Sequence, residues 1–176
     1  MTEIHSFAEI DASLRSIDTG EPATAKRRLF ASAARFQNRA VKPREWLVGG
    51  FIPNGTVTLL GGDGGSGKSL LAMMLAIATA STKDVRWLGR LPVQGTAIYC
   101  GAEDDIDEMH RRMADITDAN FIQFTDLERL HVCSLAGQDA LLAVENPKTK
   151  VLAATPLFTE IRDKIEAERP SLVVFD

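Results

Sequence analysis

"LLGGDGGSGKSLLAMMLAIATA" (Leu59–Ala80) sets five glycines, a lysine and a serine between two apolar runs. Within it, Gly62-Asp63-Gly64-Gly65-Ser66-Gly67-Lys68-Ser69 fits the pattern G-x-x-x-x-G-K-[ST]. Each residue type has a chemical reason. A polyphosphate needs many donors at close range. Glycines let the backbone curl so that successive N–H groups point inward, and no Cβ blocks the approach. A helix starting near Lys68 adds its positive N-terminal end. Lys68 is placed to reach the β- and γ-phosphates, and Ser69 to set its hydroxyl on Mg²⁺. The candidate binding set for ATP is Gly62, Gly64, Gly65, Ser66, Gly67, Lys68 and Ser69. Asp63 and Ser66 stand at positions the motif leaves open.

The flanks of the loop fit the same reading. Pro53-Asn54-Gly55 marks a turn after a loop, and Thr56–Leu60 reads as a buried strand. A helix follows over Lys68–Ala80. Thr96–Cys100 reads as a second strand, then a helix from Asp105 to Ile116 with Asp104 or Asp105 as N-cap. "LERLHVCSL" supplies a third strand. "TPLFTEIRDKIEAERP" is a helix, with Pro156 in its first turn and Pro170 just past its end. "SLVVFD" is a last strand, apolar throughout, as for a strand buried on both faces. Strands alternating with helices predict an α/β fold with a mostly parallel sheet.

Before residue 43 the pattern differs. Residues 1–20 are polar and weakly patterned, an arm or short helix. Leu29, Ala33, Phe36 and Ala40 form a helical stripe within about Ala23–Ala40. We therefore divide the chain into an arm, 1–42, and a main domain, 43–176. Lys26, Arg27, Arg28, Arg35, Arg39, Lys42 and Arg44 read first as a solvated face of a docking helix. Docking onto a neighbouring subunit and contact with DNA stay open as alternatives.

Composition narrows the class. With 176 residues, 45% hydrophobic and 25% charged, the chain has the make-up of a soluble domain. A net charge of −4 gives no overall basic footprint for nucleic acid. Cys100 and Cys133 read as reduced core thiols. His5, His110 and His131 share no metal-ligand spacing. Trp46 and Trp87 are expected to pack rather than stack on bases. No run reaches the roughly 18 apolar residues of a membrane span, and no secretory h-region opens the chain. The expected location is the cytoplasm.

A phosphate cradle alone hydrolyses nothing. Water must be oriented or deprotonated, and a carboxylate must hold the Mg²⁺ shell. Two acids stand at carboxyl ends of strands: Glu103 after "AIYCGA" and Asp176 after "LVVF". In open α/β sheets ligands gather outside those ends. Glu103 is the candidate catalytic base beside Lys68, and Asp176 the metal-side carboxylate with Ser69. Asp104 and Asp105 read as helix-capping acids.

At these residues the sequence resembles RecA-like P-loop ATPases, in the AAA-family branch of RepA-like replicative helicases. The resembling parts are "PREWLVGGFIPNGTVTLLGGDGGSGKSLLAMMLA", "GTAIYCGAEDD", "LHVCSLAGQDALLA", "TPLFTEIRDKI" and "PSLVVFD", within residues 43–176. The resemblance implies ATP on the glycine loop, water activation by Glu103, and Mg²⁺ held through Asp176 as the Walker B acid. It implies ring-shaped homo-oligomers, work on single-stranded DNA and a link to DNA replication. It also implies a further strand after Walker B, between the glycine-loop strand and the Walker B strand, with a phosphate sensor, DNA-contacting loops and an arginine finger. None of these follows Asp176. The expectation is the amino-terminal half of a longer ATPase, or a truncated gene product, with a RecA-like core incomplete at its C-terminus. Two other readings are a nucleotide-binding remnant without turnover and a P-loop small-molecule kinase. For the kinase, the sequence offers neither a substrate-binding Asp-Arg pair nor an arginine-bearing lid.

Overall fold

The structure is a computed structural model, and it describes residues 30–148 and 150–176. Contacts divide the chain into two units, Met1–Lys42 with Glu145–Val151, and Pro43–Val144 with Leu152–Asp176. In the first, the described part of the expected Ala23–Ala40 helix is one 3₁₀ turn, Ala33–Phe36, capped by Ser32. This corrects the expectation for residues 30–40. Phe30, Phe36 and Val41 are exposed and the turn has no buried residue, and a short segment without burial lacks the packing that stabilises helices. Leu29, Lys26, Arg27, Arg28 and His5 lie outside the described residues.

The second unit opens with a short antiparallel hairpin, β1 (Trp46–Val48) and β2 (Ile52–Pro53), where a loop was expected. Gly50 closes it at φ +80°, a conformation that costs other residues strain. Next come α1 (Lys68–Ala80), β3 (Ala97–Gly101) and α2 (Ile106–Ala119). They are followed by β4 (Leu130–Ser134) and the ribbon of β5 (Ala143–Glu145) with β6 (Leu152–Ala154). The chain closes with α3 (Pro156–Glu168) and β7 (Leu172–Phe175). β4, β3 and β7 form a parallel sheet in that order, with Cys100 opposite both Cys133 and Phe175.

The pleat sorts side chains onto two faces. Ala97 and Tyr99 join Met73, Leu75, Ile77, Met109 and Met113 of α1 and α2 in the larger core. Ile98 and Cys100 join Ile161 of α3 in a smaller one on the other face. Burying Met73, Leu75 and Ile77 contributes about 1.5–3 kcal/mol each, which holds α1 against the sheet. Trp87 is buried beside this core, and its indole N–H donates to Leu71 O at 2.9 Å. Trp46 lies half-buried under Arg44, whose guanidinium is 5.5 Å from the ring centre. Local signals fix the helix ends. Asp105 accepts from the N–H of Glu108 at 2.8 Å, and Thr155 caps α3 ahead of Pro156.

Two expectations fail for one physical reason. Thr56–Leu60 belongs to none of the sheets, and Leu59 is 92% exposed. A strand needs a ladder partner for its N–H and C=O groups. Among the described residues, no strand pairs with this run. Among the described residues β7 in turn pairs with β3 alone, so there it is an edge strand rather than one buried on both faces. Its Phe175 is 56% exposed.

The start of β7 is held by a close approach. Ser171 donates its N–H to Thr96 O at 2.8 Å, and a Cβ on Gly95 would lie 2.8 Å from Ser171 Cβ and run into its hydroxyl. Gly95→Ala is therefore expected to cost about 1–3 kcal/mol, read as a lower melting temperature. An unchanged melting temperature would show that this loop and β7 do not meet.

Candidate active site

The glycine loop lies between the unpaired Thr56–Leu60 run and α1. Gly65 and Gly67 take φ of +73° and +85°, so both positions need glycine. A Cβ on Gly62 would come within 3.1 Å of Ser66 Oγ. Ser66 closes the turn by donating its hydroxyl to Asp63 O at 2.7 Å. Lys68 folds over the loop and donates Nζ–H to Gly62 O at 3.0 Å and to Asp63 O at 2.8 Å. Gly67 caps α1 without a side-chain bond. The first N–H groups of the helix therefore face out of the loop with no acceptor from the helix itself. Ammonium, helix end and glycine backbone are donors of the kind an anion takes.

The far end of the chain meets this loop. Ser69 donates its hydroxyl to Asp176 Oδ1 at 3.0 Å, across a separation of 107 residues. Tyr99 donates its phenol to Asp176 Oδ2 at 2.8 Å. Burial first, then the bond to Asp176, raises the Tyr99 hydroxyl above the usual phenol range. The backbone of Asp176 extends the β3 ladder, donating its N–H to Cys100 O at 2.9 Å and accepting from Ala102 N–H at 3.0 Å. Hydroxyl and carboxylate are hard oxygen donors of the kind Mg²⁺ takes, with phosphate oxygens and water completing its octahedron. No group of three or more His, Cys, Asp or Glu with metal-site geometry occurs among the described residues.

The acids after β3 are sorted by their partners. Asp104 pairs with Arg112 at 2.6 Å, and its carbonyl accepts from Ser134 Oγ at 2.8 Å. Asp105 caps α2, and Glu108 pairs with Arg111 and Arg112. Glu103 is exposed, one residue past the Ala102–Asp176 bond, and makes no hydrogen bond or ion pair with the described residues. Of the acids in the Glu103–Asp105 run, it alone keeps an uncommitted carboxylate.

A model of an AAA domain family matches residues 21–176. The chain belongs to the AAA domain family. No solved structure matches it. Membership makes this a P-loop, nucleotide-binding, ATPase-like domain, and its parallel sheet with flanking helices is compatible with such a core. In this AAA domain, Ser69 donates to Asp176, and Lys68 donates to the carbonyls of Gly62 and Asp63. Glu103 follows Ala102, whose N–H donates to Asp176 O, and makes no hydrogen bond to the side chain of Ser69 or Asp176. Tyr99 was not singled out from the sequence. Its signal was a lone phenol in the buried run "AIYC", because a buried tyrosine hydroxyl needs a partner.

A cleft of about 530 Å³ lies elsewhere, on the sheet face toward α3, lined by Cys100, Cys133, Leu157 and Ile161 among others. Burial first, then the neighbouring Cys133, pushes the Cys100 thiol of this AAA domain up to about 12. No helix among the described residues is long and apolar enough to cross a membrane.

Proposed function

We infer that this chain is the ATP-binding, Mg²⁺-dependent ATP-hydrolysing domain of a RecA/RepA-like motor. The observation that carries the reading is the Ser69–Asp176 contact, which joins the glycine loop to the carboxylate at the end of β7. In this reading Gly62, Gly64, Gly65, Ser66 and Gly67 cradle the phosphates, and Lys68 reaches the β- and γ-phosphates. Ser69 and Asp176 hold Mg²⁺, whose charge offsets that of the phosphate oxygens. Glu103 orients and deprotonates the attacking water. The link to DNA replication or another DNA transaction, the ring-shaped homo-oligomer, the cytoplasmic location and the split into an arm (1–42) and an ATPase part (43–176) rest on the sequence and its resemblance.

The test is binding of a fluorescent ATP analogue by the full chain, with and without MgCl₂. The expected result is saturable binding that ATP and ADP compete away and AMP does not, since AMP lacks the β-phosphate. Absence of binding overturns the reading. Binding without any turnover removes the hydrolytic part and leaves a nucleotide-binding protein.

A further inference from the structure

Asp176 stands at the end of an edge strand, yet both of its carboxylate oxygens have defined donors. Oδ1 accepts from Ser69 and Oδ2 from Tyr99. Register explains why the three meet. Tyr99 pairs with Val174 across β3 and β7. Val174 packs on the α1 face and Val173 on the opposite face. By strand alternation Asp176 falls on the Tyr99 face, toward Ser69 at the start of α1. The Tyr99 ring is 1% exposed and fixed in the core between α1, α2 and the sheet. Its hydroxyl is therefore a fixed point, whereas a carboxylate at an exposed strand end has its backbone pinned and its side-chain torsions free.

We propose that Tyr99 is the positioning residue of the metal site: it holds Asp176 by one oxygen so that the other faces Ser69 and an incoming divalent cation. The inference rests on the reading of this site as a Mg²⁺–nucleotide site. It separates the work of the phenol into two parts. The ring fills the core, which phenylalanine does equally well. The hydroxyl orients a carboxylate, which phenylalanine cannot do.

Tyr99→Phe isolates the second part. With N-methylanthraniloyl-ATP as probe, affinity in EDTA is expected to stay as in the unaltered chain. The MgCl₂ concentration for half-maximal enhancement of binding is expected to rise about tenfold, as when outer partners of metal ligands are removed. Asp176→Asn should show the same metal defect, and adding Tyr99→Phe to it should bring no further loss. A second measurement leaves the ring in place. Tyr99 is the single tyrosine of the sequence, so a ¹³Cζ-tyrosine label gives one resonance, which should move in Asp176→Ala. An unmoved resonance, or an unchanged MgCl₂ dependence in Tyr99→Phe, overturns the inference while nucleotide binding stands. Equal loss with and without Mg²⁺ assigns Tyr99 to packing alone and also overturns it. If the unaltered chain binds no nucleotide, the functional reading falls first and takes this inference with it.

Discussion

Replacing Lys68 by alanine is expected to weaken ATP binding by about 100-fold, since a hydrogen bond to a charged group contributes about 1.5–3 kcal/mol and two phosphates are engaged. The figure sits at the low end of that sum for a structural reason. The ammonium already donates to Gly62 O and Asp63 O. Binding exchanges those carbonyls for phosphate oxygens rather than creating bonds from nothing. The same geometry predicts little effect on folding. Both bonds lie at the surface of the loop, so the variant should keep its stability within about 0.5 kcal/mol. Lys68→Arg retains charge but replaces a compact donor with a planar fork, and should fall between the two. Competition of ATP against a fluorescent analogue reads the affinities, and a thermal melt reads the fold. A Lys68→Ala chain that binds as tightly as the unaltered one would remove the phosphate role from this lysine and from the loop around it.

The parts of this architecture legible in the sequence are those set by neighbours in the chain. α1 runs over Lys68–Ala80 as read from the glycine loop and the apolar run. Asp105 and Pro156 mark the starts of α2 and α3 because capping oxygens and a fixed φ act within one turn. What was misread depends on distant partners. Thr56–Leu60 carries a strand composition, but composition does not supply a ladder. Phe175 looks like core by residue type and is exposed, β7 having one neighbour among the described residues. The hairpin at Trp46–Pro53 is too short to show a period. For the candidate site, spacing alone pointed to the loop, and strand ends pointed to Glu103 and Asp176 as proposals. Tyr99 stayed hidden because its significance lies in a partner 77 residues away. That pairing is decided by register, and a single sequence does not print register.

Glu103→Gln is expected to lower the single-turnover rate of ATP hydrolysis by about 10²–10³, within the range general bases contribute. Binding should change by no more than about threefold, because a group acting on water in the transition state adds nothing to ground-state affinity. The choice of Glu103 over its neighbours follows from what each carboxylate already does. Asp104 is held by Arg112 with both side chains largely covered, and Asp105 is committed to the first turn of α2. A carboxylate held in an ion pair or a cap is not free to turn toward a water. Glu103 has no such bond to lose, and the Ala102–Asp176 backbone contact fixes its strand end beside the loop. Asp104→Asn is the matching control. It should lose about 1 kcal/mol of stability through the weakened Arg112 pair and keep its turnover. If Asp104→Asn abolishes hydrolysis while Glu103→Gln leaves it intact, the assignment is reversed and the Arg112 pair belongs to the chemistry rather than to the fold. If neither changes the rate, water activation comes from outside this acidic run.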